Sequence, residues 1–369
     1  MSISADHCDC ASMAPGRGRS DTSPLTYGRA PRRWSSNLPP MLAWHLNSSP
    51  GGYSLGEVTT PEPGATEVRV SVRASALNHI DHWMTVGRPR PPSFPHVAGS
   101  DGAGVIDAIG SAVTGWQVGD DVVISTAITS DDAARRLGVD NVLDPSMELL
   151  GEHRWGCHGA HVVVPALALR RRPHDLSWTD AAAYPCAMGT AWRMLRRARL
   201  GAGETVIVTG AGGGVAIAAV QLAIGLGANV FVTSRDPAKI DRAIALGAAG
   251  GFDSAGPYPV PADVIVDSIG PAIWEASVDA LVPGGRFVTC GGTSGQHIAV
   301  SVPRLFFLQH ELIGSTLASY EEFGHVTDLV SAGLRPVIDS VIPFAEYPAA
   351  LERLRSGSQF GKIVLDHTD

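Results

Sequence analysis

Basic surplus, long apolar runs and an even set of cysteines are all missing from this 369-residue chain, and each absence removes a class of function. Lys and Arg number 28 against 36 Asp and Glu, a formal net charge of −8. No cationic excess is left to displace counterions from a nucleic acid. No window approaches the roughly 18 uninterrupted apolar residues that a membrane span requires. The five cysteines, Cys8, Cys10, Cys157, Cys186 and Cys290, are odd in number and scattered. That fits free thiols in a reducing, cytoplasmic setting better than a disulfide framework. The N-terminus has no apolar core followed by a small-residue cleavage site, so it does not read as a secretory signal. What remains, 44% hydrophobic and 17% charged residues, describes a globular protein long enough for two domains.

Composition divides the chain unevenly. Residues 1–40 are rich in Ser, Pro, Gly and Arg without a periodic apolar pattern, and are expected to be disordered. Within them His7 and the Cys8-x-Cys10 pair offer metal ligands, but on a tail with little preorganisation. Met41 opens the first strand-like segment, so an upstream choice of start codon is one reading of the tail. From 41 to 176 the pattern is short strands and turns, with 67–74, 102–109 and 119–124 as strands. Between them lies ALNHIDHWMTVGRPRPPSFPHVAGSDGAG, dense in polar, aromatic and turn residues. From 177 to 307 helices and strands alternate through Val206, Val230, Val264 and Phe287, the signature of a doubly wound parallel sheet in an α/β fold. The remainder, 308–369, holds the strand-like ELIGSTL, a helix near 321–332 and a closing GKIVL strand.

The most informative stretch is ETVIVTGAGGGVAIAAVQLAIGLGANVFVTSRDPAK, residues 204–239. Residues 205–209 are β-branched enough for a buried parallel strand. Ala211, Gly212, Gly213 and Gly214 let the backbone turn tightly and approach a ligand. From Val215 apolar residues recur at helical spacing to 226, and 229–233 gives the next strand. A helix that starts at a glycine turn aims free amides at that turn, which suits a pyrophosphate.

Together with ALNHIDHW, GSDGAGVIDAIG, WQVGDDVV, GTAWRML, LVPGGRFVTCGG and FGKIVL, this stretch resembles the medium-chain dehydrogenase/reductase superfamily. Within it the chain is similar to the zinc-independent quinone oxidoreductase-like branch. The resemblance runs from Met41 to Leu365. It implies a GroES-like β catalytic domain interrupted by a Rossmann doubly wound parallel-sheet domain. The boundaries expected are 41–176, 177–307 and, back in the catalytic domain, 308–369. It also implies a cleft for nicotinamide and a small-molecule substrate, and a homodimer or homotetramer.

In relatives that use NAD, a carboxylate at the end of the second strand holds the ribose hydroxyl; its place here is taken by Ser234. Arg235 follows and Lys239 lies one helical turn on, a set suited to a 2′-phosphate, so NADPH is the expected cofactor. Asp236 is the discordant charge, expected to pair with Arg235 or Lys239. Ala211 and Ala216 replace the first and third glycines of the common fingerprint, and neither change abolishes the anion site.

The superfamily's catalytic zinc ligands fall at Asn78, Ser100 and Cys186, so two of three are missing, and no metal is expected. His79, Asp81 and His96 are poor replacements. The structural zinc lobe corresponds to 125–151, which contains no cysteine. The flanking LLGEHRWGCHGAHVVVP still matches zinc-lobed relatives, so the lobe is expected to persist without metal.

Without a Lewis acid, oxidation of a simple alcohol loses its main means of stabilising an alkoxide. Ile80 also stands where dehydrogenases keep a proton-relaying hydroxyl. The expected chemistry is hydride transfer from NADPH to a quinone, an enone or another conjugated carbonyl. Alternatives are an alcohol or aldehyde dehydrogenase with a rearranged zinc site, and a non-catalytic NADPH-binding protein.

The resemblance places Asn78 beside the nicotinamide ribose. Asp81 reads as a cap of the helix that carries Trp83. Trp83 stands where enoyl-reducing relatives have an acidic tyrosine, and His79 or His82 are candidate proton donors. Thr190, Gly292, Thr293 and Ser315 match stretches that approach the cofactor. Lys362 reaches either the phosphate end or only its own strand. Cys186 and Cys290 are either reactive thiols or small core residues. The substrate pocket is expected around Trp83, Phe94, Trp155 and Phe306.

Overall fold

The computed structural model describes residues 37–368; most of the N-terminal tail, with His7, Cys8 and Cys10, lies outside the described residues. The β-branched run Thr205–Val208 is the centre of a six-stranded sheet in the order Gly250–Asp253, Asn229–Ser234, Thr205–Val208, Ala262–Asp267, Leu281–Thr289, Glu311–Gly314. All neighbouring pairs are parallel. From Thr205–Val208 the chain winds outward to one edge, then returns and winds to the other. The strand order therefore reverses beside Thr205–Val208, and a crevice opens at the carboxyl ends of the strands, where such sheets bind ligands.

Expected to close at 307, the nucleotide-binding sheet continues to Gly314, because Glu311–Gly314 pairs in parallel with Leu281–Thr289. Leu312 on this edge strand is 40% exposed, so hydrophobic patterning could not assign the strand to a sheet. The chain then crosses back. Lys362–Asp366 pairs antiparallel with Glu67–Ala76, and Ile338–Pro343 lies beside it. These strands complete a seven-stranded sheet with Leu169–Arg171, Asp121–Ile124, Asp101–Ile109 and His161–Pro165.

One apolar cluster spans both sheets. It holds Ala74, Ala103 and Val364 from one sheet, Val206, Val232 and Val264 from the other, and Tyr184, Met188 and Met194 between them. The last three belong to the helix Pro185–Arg197 or precede it. Burial on this scale ties the two sheets together, each large apolar side chain contributing roughly 1.5–3 kcal/mol.

The lobe expected over 125–151 persists. It contains a helix Asp131–Leu137, a 3-10 turn Gly138–Leu143 and a two-strand ladder, Ala127–Ile128 with Glu148–Leu149. Val142, Met147, Ala127 and Leu317 fill its interior, and Arg136 pairs with Asp144 at 2.8 Å. Apolar packing and this ion pair hold the lobe together.

Arg193 fixes the lobe to the body. Its guanidinium, 1% exposed, reaches Glu322 at 2.8 Å and Asp140 at 3.1 Å. Glu322 in turn accepts from the Ser319 backbone amide at the start of the helix Tyr320–Ser331. Arg193→Ala leaves a buried carboxylate under-compensated. Urea denaturation is expected to show a loss of about 3–5 kcal/mol, against a small change for Arg355→Ala, whose pair with Glu352 is exposed.

Candidate active site

The strand Thr205–Val208 ends in a turn whose geometry only small residues allow. Gly210 and Gly212 have φ of 72° and 118°, the left-handed region that glycine tolerates. The Ala211 amide donates to the Thr233 carbonyl at 2.7 Å and the Gly213 amide to Gly210 at 3.2 Å. A Cβ on Gly212 would stand 2.8 Å from Lys239 Cδ and 3.0 Å from the Gln359 carbonyl. Lys239 therefore lies directly along the turn. Its ammonium donates to the Gly357 carbonyl at 2.5 Å. Beyond the turn runs the helix Gly214–Gly225, with Val215 in its first turn, and its leading amides have no intrahelical acceptor.

At the end of the next strand, Ser234 Oγ accepts from the Asp236 amide at 3.1 Å, which leaves the hydroxyl proton free to donate. Arg235 is exposed. Asp236 caps the helix Pro237–Ala245 by accepting from the Ala238 amide at 3.0 Å. The discordant carboxylate is thus accounted for as a helix cap. The Gly212 cradle, the amide-rich helix start and two cationic side chains fit a phosphorylated dinucleotide.

Across the turn lies a buried polar knot. Lys362 spends its three N–H bonds on the Leu77 carbonyl, Asn78 Oδ1 and Asp101 Oδ2, each at 2.8 Å. Asn78 Nδ2 donates to Asp101 Oδ2 at 2.9 Å, and the Cys186 amide donates to Asp101 Oδ1 at 2.7 Å. The Lys362 stem passes below the turn, since a Cβ on Gly214 would stand 2.8 Å from Lys362 Cδ. The knot joins the helix His79–Thr85, the strand Asp101–Ile109, the helix Pro185–Arg197 and the last strand. Asp101 was not singled out from the sequence. Its one signal is a carboxylate inside GSDGAG, where small neighbours bury it and burial demands a partner.

Asp81 secures the helix that begins at Asn78. One oxygen accepts from the Asn78 amide at 2.8 Å and the other from the Gly99 amide at 3.3 Å. His158 Nε2 stands 3.5 Å away, and Ser75 Oγ bridges His158 and His367 at 2.9 Å each. On this helix His79 faces Trp83, ring centroids 5.9 Å apart. Burial, then the neighbouring Lys362 ammonium, hold the His79 imidazole below its ordinary value. His79 is accordingly a poor acid at neutral pH. His82 lines a different groove, with Tyr53, Leu351, Glu352 and Arg355.

The far wall comes from the carboxyl ends of the parallel strands. Asp267, a second residue missed from sequence, accepts from Thr209, Thr289 and the Ile269 amide at 2.8–2.9 Å. It shapes the 268–270 turn opposite Gly210. Gly292 lies against Gly270, and Thr293 Oγ1 donates to the Ser268 carbonyl at 3.2 Å. The Ser315 amide donates to the Thr289 carbonyl at 2.9 Å. Ser315 Oγ is buried without a partner among the described residues. Thr190 is buried and bonds toward the Cys186 thiol. Burial pushes the Cys186 and Cys290 thiols up to about 12, so neither is a nucleophile at neutral pH. Of the aromatics expected at the pocket, Phe94 packs on Leu46 and Met84, Trp155 on Met41 and Val97, and Phe306 is 57% exposed.

The donor set does not fit the zinc of this fold. Asn78 directs its oxygen to an ammonium and its nitrogen to Asp101, Asp101 already holds a cation, and Ser100 offers only a hydroxyl. Zinc instead needs three ligands with free lone pairs and an open position. Lys362→Met would leave Asp101 buried and unpaired. Chemical denaturation is expected to show a loss of about 3–5 kcal/mol, with much of it recovered in Asp101→Asn/Lys362→Met.

Two family models match the chain, "Alcohol dehydrogenase GroES-like domain" over residues 64–173 and "Zinc-binding dehydrogenase" over 246–365. An acryloyl-coenzyme A reductase of Metallosphaera sedula is 30% identical over 335 residues, covering 85% of this chain and 96% of that protein. A thermostable alcohol dehydrogenase from Pyrobaculum aerophilum superposes with a TM-score of 0.83 at 32% identity, covering 89% of this chain and 99% of that one. A 2-octenoyl-CoA carboxylase reductase, solved with NADP and 2-octenoyl-CoA, superposes with a TM-score of 0.82 at 26% identity, covering 89% and 88%. Fold, motifs and relatives agree: the chain is an oxidoreductase that belongs to the medium-chain dehydrogenase/reductase superfamily.

Proposed function

We propose that this protein reduces a carbon–carbon double bond conjugated to a carbonyl, with NADPH as cofactor and without a divalent metal. The knot of Asn78, Asp101 and Lys362 carries the reading, because at the first of the three zinc positions it commits Asn78 to an ammonium and a carboxylate, while Ser100 stands at the second. A carbonyl or alcohol without conjugation depends more heavily on a Lewis acid or a strong proton donor at its oxygen. A conjugated acceptor is already polarised, and asks the protein chiefly to orient it and exclude water.

Bound at the glycine turn, the dinucleotide supplies the hydride. In this reading Ala211, Gly212, Gly213, Gly214 and Val215 hold its pyrophosphate, and Ser234, Arg235 and Lys239 its 2′-phosphate. Asn78, Thr190, Gly292, Thr293 and Ser315 border the nicotinamide end. The NADP and enoyl-CoA ligands of one structural neighbour, and the acryloyl-coenzyme A reductase relative, support both cofactor and acceptor class. They favour an enoyl thioester or enone over a quinone. We also propose a homodimer, formed at the edge strand Glu311–Gly314 beside the exposed Phe306, Phe307 and Val302. An open edge with apolar neighbours is a pairing surface, and light scattering is expected to show twice the chain mass.

Enoyl thioesters, enones, quinones, aldehydes and alcohols assayed with each cofactor, with and without a chelator, test the activity. Turnover of conjugated acceptors with NADPH, unchanged by the chelator, is expected; activity confined to alcohols and dependent on zinc would sink the reading. Arg235→Ala/Lys239→Ala is expected to raise the KM for NADPH about tenfold or more, the loss of one or two charge-assisted bonds. The KM for NADH should hardly change.

A further inference from the structure

Conjugate reduction needs a proton as well as a hydride, and the residues around the knot do not provide one. Trp83 has no acidic proton to give, His79 is held neutral, both thiols hold their protons, and every Lys362 N–H is engaged.

The lobe supplies a group that the site has not used. Where it meets the knot, the Leu150 amide donates to the Thr126 carbonyl at 3.0 Å, and Thr126 Oγ1 donates to the Ser100 carbonyl at 3.0 Å. Thr126 also bonds toward the Cys186 thiol. Gly151, with φ of 81°, presses so closely on Gly99 that a Cβ would fall 2.7–2.8 Å from its backbone. Glu152 follows immediately, so its backbone leaves the lobe at the rim formed by Gly99, Ser100 and Thr126.

The next residue orders this rim. His153 Nδ1 accepts from the Leu149 amide at 2.9 Å, which places the ring proton on Nε2. That nitrogen stands 3.6 Å from Glu152 Oε1, with the two side chains 24% and 16% exposed. Among the described residues the Glu152 carboxyl has no hydrogen-bond donor closer than this. Other titratable groups around it are His96, whose ring bonds to the Gly151 carbonyl at 2.9 Å, Glu148, which acts on His153, and Asp81, which acts on His96. His96 is pushed down to about 4 by burial and is neutral. Burial without a donor pushes Glu152 up to about 7. A carboxyl kept only for structure would be paired; this one is half-buried, unpaired and next to a neutral imidazole.

Resting on the proposed enone reduction, we propose that Glu152 is the proton donor of the reaction, with His153 as the group that orients it. Hydride adds to the carbon β to the carbonyl, and the C=C electron pair moves to form an enolate. Glu152 then gives its carboxylic proton to the α carbon and is left as a carboxylate. Solvent reprotonates the carboxylate, which is 16% exposed, so one NADPH and one proton are consumed for each saturated carbonyl formed.

Glu152→Gln keeps the shape and removes the acid. With a turned-over enone, wild-type kcat/KM is expected to fall above about pH 7 as Glu152 ionises. In the variant it should be lower by about 10²-fold or more and lack that limb, while NADPH binding, read by fluorescence, is unchanged. Glu152→Asp should recover part of the rate. A readout free of turnover is the carboxyl band in infrared difference spectra of wild type against Glu152→Gln. It should be protonated at pH 6 and ionised at pH 8.5.

Stability gives a further readout. A folded-state value above the unfolded one means that the folded protein holds more protons between about 4.5 and 7. Stability from this group therefore declines as pH rises through that window. The Tm of Glu152→Gln should accordingly exceed that of wild type at pH 8. An active wild type matched within threefold by Glu152→Gln, or a carboxyl already ionised at pH 6, overturns the assignment alone. A wild type inactive on every conjugated acceptor overturns both it and the reading beneath it.

Discussion

A lysine ammonium with side-chain exposure of 5% sits against a carboxylate of 0% exposure, 2.8 Å apart. Desolvating two charges costs several kcal/mol each, and the pair is tolerable only when every donor and acceptor is used. Here they are, by the Leu77 carbonyl, the Asn78 amide and the Cys186 amide. Removing any strand or helix that contributes would strand a charge. The last strand, the helix at Asn78, the helix at Cys186 and the glycine turn above Gly214 are therefore held in one relation. Positioning of the cleft follows from that constraint.

Both sides of the cleft are held by the protein's own side chains. At the site, Asn78 is committed to the Lys362 ammonium and to Asp101. In the lobe, Val142, Met147 and Leu317 make a small apolar interior, and the ion pairs of Arg193 tie it down. A lobe held by packing keeps its rim, Leu150 to His153, pressed against Gly99 and Thr126. That rim is where the site gains its half-buried carboxyl.

Legibility in the sequence followed the range of the interactions. The glycine turn and its flanking strands lie within one short window, so local pattern placed them close to where they stand, and the resemblance singled out Ser234, Arg235 and Lys239 at its end. The cap role of Asp81, three residues from Asn78, was equally local. The knot was not legible, because Lys362 and Asp101 are 261 residues apart and only strand pairing brings them together. Asp267 and Glu152 were hidden for another reason: a carboxylate at a turn is ordinary until its burial and donors are known. His79 and His82, three residues apart on one short helix, looked interchangeable in the chain, yet His79 lies against Trp83 and Lys362 while His82 lines a groove with Tyr53 and Arg355. The edge strand Glu311–Gly314 misled because its exposed face carries no apolar alternation.

Position of hydride delivery separates this chemistry from that of an alcohol dehydrogenase most directly. With metal-stripped protein, NADPH deuterated at the transferring position and a conjugated enone, the product can be read by NMR. Deuterium on the carbon β to the carbonyl, at the same rate as before metal removal, is the result expected of a cleft organised by Lys362, Asp101 and Asn78. Deuterium on the carbonyl carbon, or no transfer until zinc is restored, would contradict it.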